Sequence, residues 1–360
     1  MEIEGDETIT EVTLFYRLGR RDVKIFGYPD FTPGKRVTAT FGVQTGGASF
    51  IPSGVDISYY YRVRDTTGHT YETDTFLLEY LDPRYDWQRH REGDMVVLWH
   101  NRPRAGVVRV AAEVSQKLVA VKELLGLDEI GPKKAVIVNS SREASRNFPR
   151  ISDASSRGHL YGGFAFGDLD VFVLSGLDRD GIVHEMTHLL IDEAVDSPLA
   201  RIPSWLNEGL AMYFESGSGG RETTVSRAAD RGGLSHLSAM GNQPGRPQEV
   251  RVFYAQAWST VDYMMETYGE ERMSALLTAL EDGGGIQKAI PSAYGMSLDE
   301  LEQEWLGQIS GGSTLTIPSD PGTVGTSVII TGAVAVAAVA VIIRWLRRIT
   351  SATSGEETLE

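Results

Sequence analysis

His184, Glu185 and His188 have the residue types and the spacing of a metal-dependent hydrolytic site. They lie in the segment His184-Glu185-Met186-Thr187-His188, an H-E-x-x-H pattern. On a helix, residues four positions apart share one face, with Cβ atoms about 5–6 Å apart, so two imidazoles can bind one ion. The pattern favours zinc, which histidine nitrogens bind at about 2.0–2.1 Å. Glu185 projects beside the pair, where it can reach a water molecule at the ion without being a ligand.

The segment around this motif predicts an amphipathic helix. Its apolar stripe consists of Ile182, Val183, Met186, Leu189, Leu190 and Ala194. His184 and His188 lie roughly opposite the stripe, so they face solvent or a cleft rather than the core. A surface histidine pair without a metal is the alternative interpretation of the motif alone.

Glu208 is the predicted third ligand. It follows His188 by 20 positions, inside the helical pattern WLNEGLA at 205–211. A zinc ion with two histidine ligands needs a third protein ligand and an open position for water. A carboxylate on a second helix packed across the first can supply it, so we predict that His184, His188 and Glu208 bind one Zn2+. Without the upstream motif, Glu208 would be interpreted as a solvated helix acid.

The motif and its surroundings resemble a known family. HEMTHLL followed by LNEGLAMYF is similar to the gluzincin pattern, H-E-x-x-H with a downstream glutamate in an N-E-G-x-A setting. The likeness is closer to the peptidase MA-like family of bacterial metallopeptidases, and YAQAWSTVDYMMETYG and GMSLDELEQEWL extend it over about residues 105–310. The resemblance implies a zincin fold, in which a small twisted sheet lies above the active-site helix and a helical lobe below it. It also implies hydrolysis of peptide bonds, with Glu185 as general base for a zinc-activated water.

The oxyanion donor and the partner of a ligand histidine each have more than one interpretation. Tyr254 is the candidate oxyanion donor, because related aminopeptidases use a tyrosine downstream of the ligand glutamate; Tyr213 is the rival, and a packing role for Tyr254 is the alternative. Thermolysin-like enzymes place an aspartate four residues after that glutamate, where this chain has Met212. Asp192 is either its substitute as a partner for a ligand histidine or an exposed acid at a helix end.

The glycine-rich strand before the motif also has two interpretations. In the segment 162–166 (GGFAF), small residues would let a substrate backbone approach and pair with the strand edge. The alternative is a hairpin that is merely relaxed by its glycines.

The predicted fold class is α+β, with an N-terminal immunoglobulin- or fibronectin-like β-sandwich at residues 1–102. Six segments rich in Val, Tyr, Phe and Thr are separated by turn residues at roughly ten-residue spacing. They are TEVTLFYR, DVKIFG, RVTATFGV, DISYYYRV, TYETDTFLLEY and DMVVLWH. From about residue 105 the pattern changes to helices and short strands, which predicts a zincin-like peptidase domain at 103–312. Residues 313–326 form a linker by composition.

Residues 327–346 are predicted to form a transmembrane helix, followed by a short cytoplasmic tail at 347–360. The run from 327 to 343 carries no charge, and about 19 residues span most of a ~30 Å hydrocarbon core. Arg344, Arg347 and Arg348 follow it, so the positive-inside rule places the enzyme outside the cytoplasm. This topology requires a signal peptide that has been removed or lies outside this sequence. A tail-anchored protein with a cytoplasmic catalytic domain is the competing interpretation.

Composition excludes several kinds of site and partner. The 360 residues contain no cysteine, so thiolate ligands, disulfides and a cysteine nucleophile are excluded. The net charge of −15 disfavours nucleic acid as a partner. The predicted partners are a peptide or protein substrate and the membrane, and the pattern does not determine an oligomeric state. Two other functions remain open: hydrolysis of a non-peptide amide of the cell-wall type, and a binding or adhesion module with a vestigial zincin domain.

Overall fold

The structure is a computed structural model that describes residues 1–43, 45, 50–144, 146 and 162–310. Its fold is α+β, as predicted: an N-terminal β-sandwich-like region precedes a helical C-terminal part. The described residues form two sheets, one of six strands at the N-terminus and one of five strands that alternate with the first helices. The second sheet positions the residues of the H-E-x-x-H motif.

The N-terminal sheet is built around one long strand, β1 (Glu2–Leu18). Its other strands are β2 (Ile25–Gly27), β3 (Gly34–Thr38), β4 (Asp56–Asp65), β5 (Thr70–Glu72) and β6 (Phe76–Glu79). β1 pairs antiparallel with β2 and β3, and also with β4, which in turn pairs with β5 and β6. All six are hydrogen-bonded in one sheet, so the other layer of the sandwich is supplied by the strands that follow.

The second sheet has the order β10-β11-β9-β8-β7. Its strands are β7 (Gln88–Glu92), β8 (Met95–Trp99), β9 (Lys133–Val138), β10 (Gly163–Phe166) and β11 (Val171–Ser175). β8, β9 and β11 are parallel, whereas β7 and β10 are antiparallel edge strands. The sequence places β8 in the N-terminal sandwich, but β8 pairs with β9 here. The continuous apolar run of β8 is buried on both faces, as expected for an internal strand of a parallel sheet. The predicted domain boundary after residue 102 therefore comes after the β7–β8 hairpin, which belongs to the second sheet.

The two faces of this sheet bury alternate residues of the same strands. On one face, Val97, Ile137 and Phe172 pack against helices. On the other, Val136 and Val171 pack against the N-terminal region, where a Cβ on Gly54 would come within 2.7 Å of Val136 Cγ2. The N-terminal region therefore covers the sheet face opposite the helices.

Two long helices cover the helical face: α1 (Arg104–Leu125) before β9, and α3 (Arg179–Ala194) after β11. The short α2 (Ser141–Ala144) follows β9. α3 begins after Asp178, whose carboxylate accepts a hydrogen bond from the Gly181 amide at 2.7 Å. α3 carries the H-E-x-x-H motif, as the sequence predicts.

The remaining helices form a lobe with its own apolar core. They are α4 (Ser204–Tyr213), α5 (Arg221–Asp230), α6 (Pro247–Tyr268), α7 (Glu270–Glu281), α8 (Ile286–Tyr294) and α9 (Leu298–Ile309). Ser297 and Glu300 form a capping box at the start of α9. Trp205, Met264 and Trp305 are fully buried in this lobe, where α4 and α9 both pack on α6.

Within residues 1–310, apart from the gaps given above, no helix has the length and apolarity needed to cross a bilayer. The predicted linker, transmembrane helix and cytoplasmic tail at 313–360 lie outside the described residues.

Candidate metal centre and active site

His184, His188 and Glu208 come together, from two helices that pack across each other. Their candidate ligand atoms all lie within 4.8 Å of one another. His184 Nε2 is 3.2 Å from His188 Nε2, and Glu208 Oε2 lies 3.4 Å from the first nitrogen and 3.5 Å from the second. Each side chain is between 11% and 18% exposed, so the group is largely buried but still reaches solvent. The described residues contain no other such group of His, Asp and Glu side chains.

The second nitrogen of each imidazole has a partner that fixes the ring. His184 Nδ1 lies 2.8 Å from Glu215 Oε1, and His188 Nδ1 lies 2.9 Å from Asn207 Oδ1. Both partner oxygens only accept hydrogen bonds, so each Nδ1 is the donor. The Nε2 lone pairs are thereby left for a ligand at the point where the three side chains meet.

Glu215 is itself held in place from the turn after α4. Arg221 donates to Glu215 Oε2, and its guanidinium lies 5.9 Å from the ring centre of Trp258. Lys117, from α1, donates to the carbonyl of Phe214 and to the hydroxyl of Ser216, at 3.3 and 2.7 Å. The Glu215 carboxylate therefore faces His184 from a turn that is held by contacts with α1, α5 and α6.

Glu208 has one oxygen bound and one oxygen facing the histidines. Gln243 Nε2 donates to Oε1. Oε2 is buried and receives no hydrogen bond within the described residues. A buried carboxylate oxygen without a donor is costly unless a cation satisfies it. This orphaned oxygen, together with two oriented Nε2 atoms, fits a zinc ion with two histidine ligands and one carboxylate ligand.

The charges around this point favour a cation. Burial alone would lower the pKa of His184, but the carboxylates of Glu208 and Glu215 outweigh it and raise that pKa to about 10. The pKa of His188 is raised against burial mainly by Glu208. Burial raises the pKa of Glu208, but the two histidines together hold it well below its usual range. A field that binds protons this firmly also favours a divalent ion.

Glu185 lies next to this group, beneath the edge strand β10. It is 7% exposed, and a Cβ on Gly163 would come within 2.5 Å of its Oε1. Burial raises the pKa of Glu185, and the nearby histidines offset this only in part. Gly163 therefore leaves room for the Glu185 carboxylate, and the predicted approach of a substrate backbone to this strand stays a prediction. A carboxylate with a raised pKa is suited to accept and release a proton near neutral pH.

Gly209, the glycine of the N-E-G-x-A segment, lies where α4 packs closely against α6. A Cβ there would come within 2.5 Å of both the Ala257 carbonyl oxygen and Val261 Cγ2 on α6. Only glycine lets α4 approach α6 this closely, and the approach sets the position of Glu208.

Tyr254 lies on α6 seven residues before Val261, on the side that faces α4. Its ring is half-buried against the helical core, 5.8 Å from that of Phe253. Tyr213 is on α4 itself, five residues after Glu208, and its pKa is raised by burial and by Glu266 and Asp262. The oxyanion role stays a prediction for Tyr254, with Tyr213 as its rival.

Asp192 does not take the histidine-orienting role. It lies against Gly167, where a Cβ would come within 1.7 Å of Asp192 Oδ2, and the histidines use Glu215 and Asn207 instead. Neither partner is predicted from the sequence. Asn207 directly precedes Glu208, and Glu215 follows Glu208 by seven positions, but α4 ends before Glu215, so helical spacing alone does not indicate its contact.

Comparison with known proteins gives one result. Residues 158–311, less than half of the chain, match a family model for the Peptidase MA superfamily. The matched range contains α3 and α4 with the three converging side chains. A search among curated proteins found no match. The helical C-terminal part is therefore similar to the Peptidase MA superfamily, which is typically zinc-dependent, and the similarity supports a peptidase-like hydrolase.

Proposed function

We propose that the protein is a zinc-dependent metallopeptidase with His184, His188 and Glu208 as metal ligands. The observation that carries the proposal is the convergence of two Nε2 atoms and one orphaned carboxylate oxygen within 4.8 Å. Both imidazoles are already oriented by Nδ1 partners, as expected for metal-binding histidines. The match to the Peptidase MA superfamily supports the choice of peptide bonds as substrate.

A zinc ion bound there would supply Lewis-acid chemistry, polarising the scissile carbonyl and making a water molecule acidic. Glu185 accepts the proton of the attacking water and then delivers it to the leaving amine. Its raised pKa suits both steps, and its place beneath β10 puts it beside a peptide that pairs with this edge strand. Tyr254 donates a hydrogen bond to the developing oxyanion.

The role of Glu185 separates a peptidase from a binding module, because a purely structural zinc site has no use for a base. The test uses the full chain, stripped of metal and titrated with zinc against a chromophoric chelator. Cleavage of a peptide library is then followed by mass spectrometry for the wild type and for Glu185→Gln. We expect the variant to bind zinc as the wild type does and to cleave about 10²–10⁴-fold more slowly.

Glu123→Gln is the matched control, since it removes the same charge from an exposed position on α1. It should leave both zinc binding and cleavage unchanged. Failure to bind zinc at micromolar concentration, or unchanged cleavage by Glu185→Gln, would contradict the proposal. Cleavage of cell-wall amides but of no peptide in the library would instead support the non-peptide hydrolase.

We also propose that residues 327–346 anchor the enzyme in the cell membrane, with the catalytic domain outside the cytoplasm. The proposal rests on the uncharged run from 327 to 343 and the three arginines that follow it. In cells, externally added protease should digest residues 1–310 and spare a tag placed after Glu360. Digestion of neither part in intact cells would contradict this topology.

A further inference from the structure

The segment that follows β1 of the N-terminal sheet is hydrogen-bonded to the turn at the end of the edge strand β10. This turn, the 3-10 segment Gly167–Leu169 followed by Asp170, joins β10 to β11. The Arg20 amide donates to the Asp168 carbonyl at 2.9 Å, and Arg20 Nη2 donates to the Gly167 carbonyl at 3.1 Å. Arg20, two positions beyond the end of β1, therefore holds the backbone of a turn about 150 positions away in the sequence.

Gly19 makes this contact close. Its φ is +51°, and a Cβ there would come within 2.6 Å of Leu169 Cα and 2.8 Å of the Asp168 carbonyl oxygen. Both atoms belong to the backbone, so no side-chain movement could relieve the clash. Only glycine allows the two segments to touch here.

The Arg20 guanidinium also reaches the end of α3. Its Nε lies 3.1 Å from Asp170 Oδ1, and its Nη1 lies 3.0 Å from Glu193 Oε2. Lys133 is 1% exposed and pairs with the same two carboxylates. Arg20 thus ties three segments together: the N-terminal sheet, the β10–β11 turn and the C-terminal end of the helix that carries the motif.

From the other side, α3 itself limits how far β10 can move. Gly163, at the start of β10, packs on Glu185, and Gly167, just after its end, packs on Asp192. Gly163 and Gly167 leave no space for a Cβ, so β10 rests on α3 at both ends. Gly19 and Arg20 contact the turn that follows the same strand.

We infer that the N-terminal region is part of the catalytic apparatus, with Arg20 and Gly19 as positioning residues that set β10 over Glu185. The inference rests on the proposed function, in which a peptide substrate pairs with β10. It assigns the N-terminal sheet a role in substrate alignment, in place of a separate binding or adhesion role. A displacement of about 1 Å between substrate and catalytic group can cost up to about 100-fold in rate.

The first test measures the strand itself and needs no activity. Hydrogen–deuterium exchange of the full chain is compared for the wild type, Gly19→Ala and Arg20→Met. We expect amides of 163–170 to exchange at least about threefold faster in both variants. Gly68→Ala is the matched control for backbone strain, because Gly68 has φ +87° in the turn between β4 and β5, where a Cβ would meet only Arg64 Nη2, at an ordinary contact distance of 3.8 Å. Arg36→Met is the control for charge, since Arg36 pairs only with Glu4 among the ion pairs of the described residues.

The second test separates positioning from general loss of structure. Zinc affinity of Arg20→Met should equal that of the wild type, because α3 and α4 hold all three ligands. Its kcat/KM should fall about tenfold for an extended peptide but much less for a dipeptide-sized substrate that cannot pair along β10. Arg20→Lys, which keeps the charge but has fewer donors, should recover part of the loss.

Unchanged exchange at 163–170, or faster exchange spread evenly over the second sheet, would overturn the inference. So would equal losses for long and short substrates. If the wild type cleaves no peptide at all, the proposed function fails, and the exchange experiment still decides whether the N-terminal sheet holds β10.

Discussion

The two histidines of the centre are supported by different kinds of surroundings. Just beyond the C-terminal end of α4, the carboxylate of Glu215 contacts His184 and is bound in turn by Arg221. Within α4, the neutral amide of Asn207, directly before Glu208, contacts His188. One half of the site is thus supported by a chain of charges anchored to α1 and α5, and the other by a short local contact.

This difference predicts an unequal division of work. A carboxylate partner orients an imidazole and also makes it more basic, whereas an amide only orients it. Ligand strength should therefore depend more on the Glu215 side than on the Asn207 side. Substitutions that remove or exchange one residue of either half test this division, with zinc affinity measured by competition with a chelator.

Replacing Glu215 should have the largest effect. Glu215→Ala removes the carboxylate that orients His184 and leaves Arg221 without its partner. We expect zinc affinity to fall about 100-fold, at the upper end of the range for such partners. Thermal unfolding of the metal-free variant serves as the control, since a folded variant with unchanged affinity would contradict the division of work.

Replacing Asn207 should cost less, and converting it to aspartate should make the two halves alike. Asn207→Ala is expected to lower zinc affinity about tenfold, because only ring orientation is lost. Asn207→Asp provides a charged partner of similar size and should raise the affinity above that of the wild type. If Asn207→Asp lowers affinity as much as Asn207→Ala does, charge on the partner is not what distinguishes the two histidines.

The ligands could be predicted from the sequence, but their partners could not. His184, His188 and Glu208 follow a spacing set by helix geometry, and this geometry is local. Glu215 lies beyond the end of α4, and its direction depends on a turn held by Lys117 from another helix. Gln243 lies in a loop 35 positions from Glu208, where no periodicity indicates a contact.

The fold shows the same limit. Individual strands and helices follow from hydrophobic patterning, which is why the change from strands to helices predicted near residue 105 is present, as α1 at Arg104–Leu125. The partner of a strand is a long-range property: the pattern places MVVLW at 95–99 in the N-terminal sandwich, whereas this strand pairs within the second sheet. Its uninterrupted apolar run, rather than an alternating one, was the signal for a strand buried on both faces.

Arg221 allows a test of whether the charged side acts as a connected chain. Arg221→Met leaves Glu215 in place but removes the guanidinium that binds its second oxygen. We expect zinc affinity to fall about fivefold, less than for Glu215→Ala, because Arg221 acts only through Glu215. In the Arg221→Met/Glu215→Ala double variant, the two losses of zinc-binding free energy should not add. In the Arg221→Met/Asn207→Ala double variant, the two losses should add. Arg227→Met, at an exposed position on the same helix, should have no effect.

Gln243 should have the smallest effect, because it contacts the oxygen of Glu208 that faces away from the histidines. Its loop is fixed independently of that contact: Ser204 donates to the Gly241 carbonyl at 3.0 Å, and the Trp205 amide donates to that of Met240 at 3.3 Å. Gln243→Leu therefore removes one donor without releasing the loop. We expect zinc affinity to fall about threefold, below the usual 10–100-fold for such partners. Gln248→Leu, at the exposed start of α6, is the matched control. A loss as large as that of Glu215→Ala would mean that the position of Glu208, rather than the charge behind His184, controls the centre.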